Sequence, residues 1–373
     1  MVLKQKIPFT YDHVGSFLRT NELKQARKAK AEGKISAEEL SRVEDQEIVK
    51  LVRSQIDAGL KSITDGEFRR SWWQLDYQLG LHGTEFVKTE RGIRFVHVET
   101  EPHGFRIVDR IRFDNHYMLE HFKFLRKAVE EYGDGTQVAK MTIPSPSMFF
   151  FREQIDQEKA VYADEFELFA DLAVAYQDAV QAFYEAGCRY LQFDDTAWSL
   201  FFSEPSQQLI KTRGLEPTRL AQLFADTINQ AVANKPSDMT ITMHICRGNY
   251  RSSWVGTGGY DSVAELIFDG LNLDGLFLEF DDERSGGFEP LRHVRRKDLI
   301  VVLGLITTKK PQLEDPDTIK RRIDQASKYV DLSQLALSPQ CGFASTEEGN
   351  NLTESEQWAK IRHLVQIAKE VWD

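Results

Sequence analysis

The sequence predicts an α/β protein built as a closed (β/α)₈ barrel, a TIM barrel. Eight short runs with the composition of β-strands recur along the 373 residues, and a helical pattern follows most of them. Neither G-x-G-x-x-G nor G-x-x-x-x-G-K-[ST] occurs, although an open doubly wound sheet usually carries a glycine-rich phosphate loop. The length suits one large barrel as well as two average domains. We therefore expect residues 1–373 to form a single barrel domain.

The predicted strands are short apolar runs, and helix start signals separate them. They span residues 9–17, 61–68, 136–143, 189–195, 239–246, 275–281, 298–306 and 334–341. Ser36 with Glu39 forms a capping box that opens a helix after the first strand. Residues 164–187 are long, helix-periodic and end at a glycine. Asp315 followed by Pro316 predicts the start of a later helix.

One stretch interrupts this rhythm after the second strand. Residues 72–135 are more than a single connecting helix needs. Within them RGIRFVHVET (91–100) and FRIVDRIRF (105–113) alternate apolar and polar residues, as the arms of a hairpin do. We expect an inserted excursion, a β-hairpin with loops, that covers the barrel mouth. His103 and His116 fall within it and are expected on the surface.

Composition and charge exclude several classes of partner. The net charge of −11 argues against nucleic acid and against an anionic membrane surface. The start MVLKQKIPFT has no apolar core of a secretory signal, and the longest apolar run is too short to span a bilayer. Three unevenly spaced cysteines do not form a disulfide framework, so a cytoplasmic location is expected. The sequence leaves the oligomeric state open.

Four residues at strand ends form a candidate zinc site. His244 and Cys246 occur in ITMHICRG, Glu279 in LFLEFDD and Cys341 in SPQCGF. Strand side chains alternate, so His244 and Cys246 share the inward face, and Glu279 points inward on the next strand. Two thiols, an imidazole and a carboxylate suit Zn²⁺, which can hold a substrate thiol as a thiolate. Cys246, Cys341 and His244 are each, taken alone, more simply ordinary buried side chains. An ionised Glu279 facing the barrel interior is costly unless it is paired or bound to metal, and the four together favour zinc.

A second polar group at the strand ends has the character of an amino-acid pocket. Glu67 in TDGEF and Asp194 in QFDDTAW offer two carboxylates to an ammonium group. Gly15 and Ser16 offer a backbone N–H and a hydroxyl to a carboxylate. The alternative is that the acidic residues bond to loop backbones or pair with neighbouring arginines. Spacing alone does not separate these two interpretations.

Seven motifs in order resemble a known family. HVGSFLR, TDGEF, AKMTIPSP, QFDDTAW, HIC, LEFD and SPQCGF are similar to motifs of the catalytic barrel of cobalamin-independent methionine synthase, over residues 8–370. The chain looks like the short, single-barrel branch. The resemblance implies methyl transfer from a 5-methyltetrahydrofolate-type (polyglutamate) donor to the thiol of homocysteine. It also implies zinc and homocysteine sites, on His244, Cys246, Glu279 and Cys341 for the metal and on Ser16, Glu67 and Asp194 for the amino acid.

The chain departs from the long enzymes of this family at the donor site. It has no tryptophan after the TI of its third strand, and Lys309 stands where a histidine is expected after the seventh. Trp72 and Trp73 are candidates to bind the donor, or they anchor the excursion. His13 and Lys309 are candidate proton donors. The alternative functions are a zinc hydrolase or lyase, and a non-catalytic structural-zinc or thiol-binding barrel.

Overall fold

The predicted barrel is confirmed as a curled parallel sheet with helices outside it. The computed structural model describes residues 7–155 and 160–372. Seven strands of one sheet run parallel in the order β1-β4-β5-β6-β7-β8-β9, and β2 pairs with β3 in a separate antiparallel sheet. The strands are β1 Ser62–Ile63, β2 His82–Lys88, β3 His103–Arg112, β4 Val138–Pro144, β5 Tyr190–Asp195, β6 Thr240–Ile245, β7 Gly275–Glu279, β8 Ile300–Ile306 and β9 Leu335–Pro339.

The first predicted strand closes the barrel without forming a regular ladder. Tyr11 pairs in parallel with Leu337 of β9, where the Asp12 N–H donates to the Leu337 carbonyl over 3.0 Å. On the other side, side chains join it to β1, because the Ser62 hydroxyl donates to Asp12 Oδ1 over 2.5 Å. The segment that contains Tyr11 and Asp12 is therefore the eighth strand position of the barrel, and side-chain hydrogen bonds hold it in part.

The helices begin at the start signals that the sequence contains. Ser36 and Glu39 form the predicted capping box, and Asp315 accepts from the Thr318 N–H ahead of a helix that starts at Pro316. The α-helices of the described residues are α1 Asn21–Ala31, α2 Ala37–Asp57, α3 Leu75–Gln78, α4 Met118–Tyr132, α5 Glu165–Glu185, α6 Glu204–Thr212, α7 Pro217–Val232, α8 Ala264–Asp269, α9 Pro316–Ala326 and α10 Glu354–Trp372. No helix in these two ranges is both long enough and apolar enough to cross a membrane.

The two faces of the sheet bury different sets of side chains, as the period-two pattern predicts. Outward residues such as Ile241, Met243 and Leu278 belong to the large core between sheet and helices. A smaller separate cluster fills the barrel interior and includes Phe277 and Val302. The inward parity predicted for β7 is thereby confirmed for Phe277, and it places Glu279 on the same face.

A buried ion pair lies deeper in the barrel, and no sequence motif indicated it. Lys140 Nζ is 3.2 Å from Asp12 Oδ1, and both side chains are fully buried. Tyr190 also donates its hydroxyl to Asp12 over 2.7 Å. The Lys140 ammonium lies 4.3 Å from the centroid of the Phe277 ring. A buried pair of this kind needs such extra contacts to offset the desolvation of two charges.

The excursion contains a hairpin, but one of its arms is not where the alternation predicted it. β2 and β3 pair with Phe86 opposite Phe105, so the first arm is 82–88 and not 91–100. Residues 91–100 form the connection between the arms, with one isolated bridge from Arg94 to Glu99. After the hairpin, α4 packs back on the barrel against β4 and α2.

The connection between β2 and β3 lies over the loop that follows β6. The Val96 N–H donates to the Trp254 carbonyl over 3.1 Å. The rings of Phe95 and Tyr250 are 5.4 Å apart.

The surface position expected for His116 is wrong. The ring is buried, stacks on Tyr77 with centroids 4.6 Å apart, and has its Nε2 2.9 Å from the Tyr77 carbonyl oxygen.

Candidate active site

A cavity of about 580 Å³ opens at the carboxyl ends of the barrel strands. One wall consists of strand ends and the loops that follow them, and the other consists of the excursion. Eight residues predicted from the sequence as site residues line it: Ser16, Glu67, Trp72, Trp73, Asp194, His244, Cys246 and Cys341. The carboxyl ends of the strands are where barrel enzymes place their active sites.

Three of the predicted metal ligands converge on one point of the cavity wall. One ligand atom each from His244, Cys246 and Cys341 lies within 4.8 Å of the others, and all three residues are buried. His244 is on β6, Cys246 comes directly after that strand, and Cys341 follows β9. The end of β6 and the loop after β9 thus meet here, although the two thiols are 95 positions apart in the sequence.

The geometry of these three residues fits a zinc ion. The Cys246 and Cys341 sulfurs are 3.6 Å apart. Two thiolates on a tetrahedral zinc with Zn–S bonds near 2.3 Å would be about 3.8 Å apart, whereas a disulfide requires about 2.05 Å. His244 Nδ1 lies 3.3 Å from the Phe277 carbonyl, and its Nε2 is buried without a hydrogen-bond partner among the described residues. This carbonyl contact leaves Nε2 available as the ligand atom.

Glu279, the fourth predicted ligand, is not part of this group of three. Its Oε1 accepts the Arg247 backbone N–H over 2.6 Å, and its Oε2 accepts from Arg284 Nη2 over 2.8 Å. Lys309 Nζ is 4.0 Å from the same Oε2. Burial alone would raise the pKa of Glu279, but Lys309, Arg284 and Arg247 lower it to about 2, so the side chain is an anion.

Glu67 and Asp194, the two carboxylates predicted to bind an ammonium group, both line the cavity. Burial raises the pKa of Glu67, although the charges of Arg70 and Arg19 act in the opposite direction. Burial, followed by the charge of Glu67 among the causes that raise it, brings the pKa of Asp194 to about 7. One oxygen of Glu67, Oε2, has no partner among the described residues. Two desolvated carboxylates side by side favour a bound cation.

The backbone at Glu67 is strained, which is uncommon outside functional sites. Its φ is +61°, in the left-handed region that non-glycine residues seldom adopt. The turn is held by the Glu67 N–H, which donates to Asp65 Oδ1 over 2.9 Å. Asp65 therefore bonds to the loop backbone, whereas the Glu67 carboxylate reaches the cavity.

Gly15 and Ser16 pack tightly against the loop that carries Cys341. Ser16 Oγ accepts from the Ala344 N–H over 3.2 Å and lines the cavity. A Cβ on Gly342 would lie 2.0 Å from that oxygen. Gly15 has φ +146°, and a Cβ there would lie 2.7 Å from Thr142 Cγ2. Gly15 supports the wall from behind, and Ser16 is the member of the pair that a ligand can reach.

The two candidate proton donors do not lie among the residues that line the cavity. His13 Nε2 is 2.9 Å from the Ser62 carbonyl, and burial followed by the Lys140 charge lowers the pKa of His13 to about 4. Its ring is therefore neutral near pH 7. Lys309 is buried beside Glu279. The geometry supports the predicted proton-donor role for neither residue.

Trp72 and Trp73 are fixed to the loop after β9 and also face the cavity. Trp72 forms an antiparallel bridge with Thr346, and the Trp73 N–H donates to the Ser345 carbonyl over 3.0 Å. They therefore anchor the start of the excursion to the loop after β9. Both also line the cavity.

Two further residues support the carboxylate pair, and the sequence analysis missed one of them, Gln192. Gln192 donates from Nε2 to Asp194 Oδ1 over 2.7 Å and to the Val14 carbonyl over 2.6 Å. Arg70 donates to the Thr142 carbonyl over 2.6 Å and lies 3.6 Å from Glu67. Gln192 stands two residues before Asp194 on β5, so the same period-two argument could have placed it on the inward face. Arg70 is one of the neighbouring arginines that the alternative interpretation offered as partners for the acidic residues, and it does pair with Glu67.

Fold and site together define a (β/α)₈-barrel enzyme with a candidate cysteine–histidine metal group at its mouth. The model of the family described as "Cobalamin-independent synthase, Catalytic domain" matches residues 8–370. Protein YxjG of Bacillus subtilis (strain 168), named as uncharacterized, is 54% identical over 370 residues, which cover 99% of this chain and 96% of YxjG. The chain belongs to the cobalamin-independent methionine synthase family, which is a family of methyltransferases.

Two further relatives show the breadth of this similarity. A solved structure from Listeria monocytogenes, provisionally named a vitamin-B12-independent methionine synthase, is 44% identical, with a TM-score of 0.78 and 99% of both chains covered. A 5-methyltetrahydropteroyltriglutamate–homocysteine methyltransferase of Bacillus cereus (strain AH187) is 24% identical over 366 residues. That match covers 96% of this chain and 42% of the Bacillus cereus protein.

Proposed function

We propose that this chain is a zinc-dependent methyltransferase that transfers a methyl group to the thiol of homocysteine and so forms methionine. The observation that carries the proposal is the convergence of His244, Cys246 and Cys341 in a cavity that also exposes Glu67 and Asp194. Zn²⁺ bound to the three residues would lower the pKa of a coordinated thiol and make it a nucleophile at neutral pH.

The carboxylate pair supplies the recognition of an amino acid. Glu67 and Asp194 are buried and have raised pKa values, first because of burial. The charge of Asp65 also raises the pKa of Glu67, and the charge of Glu67 also raises that of Asp194. An ammonium group between the two carboxylates lowers both pKa values. Ser16, on the same cavity wall, can donate to the substrate carboxylate. These contacts hold the sulfur in an orientation from which it can attack a methyl carbon.

The methyl donor that we propose is a 5-methyltetrahydrofolate carrying a polyglutamate tail. The name of the Bacillus cereus relative states such a donor for that protein. The cavity extends from the three candidate ligands past Trp72 and Trp73 to the excursion, with Phe105 on the far wall. In the transfer, the new S–C bond forms as the C–N bond of the donor breaks. The bonding electrons stay on the nitrogen, which then takes up a proton.

The same proposal gives the excursion a function. Residues 72–135 would belong to the single barrel domain and cover its mouth, and so exclude water from the methyl transfer. The contacts of Phe95 and Val96 with the loop after β6 support this arrangement. A reducing cytoplasm is the compartment we propose, since free thiols persist there.

A donor screen tests this function. Zinc-loaded protein is incubated with L-homocysteine and, separately, with 5-methyltetrahydrofolate bearing one or three glutamates, methylcobalamin, or simple S-methyl compounds. We expect methionine with the methylated folate, and none from the Cys341→Ser variant. Absence of methionine with every donor would contradict the proposal. If the site belonged to a hydrolase or were purely structural, adding homocysteine would not change the set of ligands around the bound zinc.

A further inference from the structure

We propose that Arg19 is a positioning residue that fixes the spacing between the Ser16 hydroxyl and the Glu67 carboxylate and so makes the site selective for a thiol that carries both a carboxylate and an ammonium group. This inference rests on the proposed function, because it concerns the recognition of homocysteine. Arg19 is not among the described residues that line the cavity. It therefore acts through the residues that do.

The Arg19 guanidinium joins three segments that lie far apart in the sequence. Its Nη1 donates to the Gly66 carbonyl over 3.3 Å and to the Ala344 carbonyl over 2.9 Å. The same nitrogen donates to the Phe17 carbonyl over 3.1 Å, and Nη2 donates to the Arg70 carbonyl over 3.1 Å. Arg19 is only 3% exposed. One buried cation thus ties the segment after the first predicted strand to the loops that follow β1 and β9.

These carbonyls lie directly behind the groups that face the cavity. Gly66 immediately precedes Glu67 in the chain. The residue whose carbonyl Arg19 holds in the loop after β9, Ala344, donates its own N–H to Ser16 Oγ over 3.2 Å. Ser16 and Glu67 both line the cavity. A displacement of the Arg19 guanidinium would therefore move the hydroxyl and the carboxylate relative to each other.

The contact with Arg70 extends the same support to the Glu67 carboxylate. The Arg70 N–H donates to the Glu67 carbonyl over 2.9 Å, and Arg70 Nη1 lies 3.6 Å from Glu67 Oε1. The Thr142 hydroxyl donates to the same Oε1 over 3.2 Å. The other oxygen, Oε2, has no partner among the described residues. The carboxylate is thus held by one oxygen and offers the second to the substrate ammonium.

A guanidinium suits this place better than an ammonium does. Its planar fork has five donors that can bond to carbonyls in several directions, whereas a lysine ammonium is a compact point charge. Burial lowers the pKa of Arg19 to about 10, so the side chain is a cation near pH 7. Replacement by lysine therefore keeps the charge and loses the bonds that hold the three segments together.

The test compares two thiols on zinc-loaded protein. L-Homocysteine uses Ser16 and Glu67, whereas propane-1-thiol has neither a carboxylate nor an ammonium group and depends on the metal alone. Calorimetry measures both dissociation constants, and competition with a chelator measures that for zinc. We expect Arg19→Lys to weaken L-homocysteine binding roughly 10- to 100-fold, as small displacements of a positioned group do. The constants for propane-1-thiol and zinc should stay unchanged.

A matched control removes a different cation from the loop after β1. Arg69 Nη1 lies 3.2 Å from Glu44 on α2, so its side chain contacts a helix outside the barrel. Arg69→Met should leave all three constants unchanged. Arg19→Met should weaken L-homocysteine binding at least as much as Arg19→Lys. If Arg19→Met does not fold, Arg19→Lys decides the matter alone.

Two results would overturn the role of Arg19 without touching the proposed function. One is wild-type affinity of Arg19→Lys for L-homocysteine. The other is an equal loss of affinity for both thiols together with weaker zinc binding, since that outcome shows a general loosening of the site. A wild type that binds zinc but not L-homocysteine overturns the proposed function, and the role of Arg19 with it.

Discussion

Replacing Asp194 by asparagine should stabilise the metal-free protein while impairing its binding of homocysteine. Asp194 is 6% exposed, and its Oδ1 accepts from Gln192 over 2.7 Å. Burial, and the charge of Glu67, raise its pKa from the ordinary 3.8 to about 7. An asparagine oxygen can accept the same hydrogen bond from Gln192 but carries no charge. The substitution therefore removes a buried charge and keeps the main contact.

The size and the sign of the effect follow from this pKa. A rise from 3.8 to about 7 corresponds to at most about 4 kcal/mol of native-state destabilisation by the ionised Asp194. The native state holds the proton more tightly than the unfolded state, so this destabilisation is absent below about pH 4. It grows as the pH rises toward 7 and stays constant above that. The variant should gain about 1–4 kcal/mol at pH 8.5 and nothing near pH 4.

Urea unfolding of metal-free protein at the two pH values measures this difference. Asp195→Asn is the contrasting variant, because the carboxylate of Asp195 accepts from the backbone N–H groups of Ala197 and Trp198 and from the hydroxyls of Ser145 and Ser147. An amide there would face four donors and should destabilise the protein. Equal stability of wild type and Asp194→Asn at pH 8.5 would refute the reasoning. So would unaltered affinity of the zinc-loaded variant for L-homocysteine.

Three further predictions concern the metal, the substrate and the barrel interior. Cys341→Ser should weaken zinc binding by more than the roughly 100-fold typical of changes outside the ligand set, whereas Cys188→Ser, another buried thiol, should keep full zinc in chelator competition. Glu67→Gln should raise the dissociation constant for L-homocysteine roughly 10- to 150-fold in calorimetry, since a hydrogen bond to a charged group contributes about 1.5–3 kcal/mol. Lys140→Met should lower the free energy of unfolding by about 3–5 kcal/mol in urea, because it leaves Asp12 buried without its cation.

The barrel and its inward faces were predictable because they depend on local periodicity. Strand residues alternate between faces wherever a strand occurs, and the inward position of Phe277 follows from that rule alone. The convergence of Cys246 and Cys341 was also predictable, since the carboxyl ends of parallel strands meet at one end of a barrel. These inferences needed no knowledge of which residues contact one another across the fold.

The features that the sequence did not reveal depend on tertiary contacts. Glu279 was predicted to bind zinc, yet its position also depends on Arg284 and on Lys309, which is 30 residues further along the chain. The apolar–polar alternation of residues 91–100 is as typical of a strand as that of residues 82–88. Pairing with β3 makes residues 82–88, and not 91–100, the first arm of the hairpin. His116 falls in a polar stretch, but stacking on Tyr77 buries it.

Zinc-edge X-ray absorption of the purified protein, before and after addition of L-homocysteine, is the most direct test of the central claim. With one equivalent of zinc bound, the account predicts two sulfur ligands, from Cys246 and Cys341, and a third sulfur when homocysteine is added. A spectrum that does not change on addition of the thiol, or a zinc ion with no sulfur ligands at all, would contradict it.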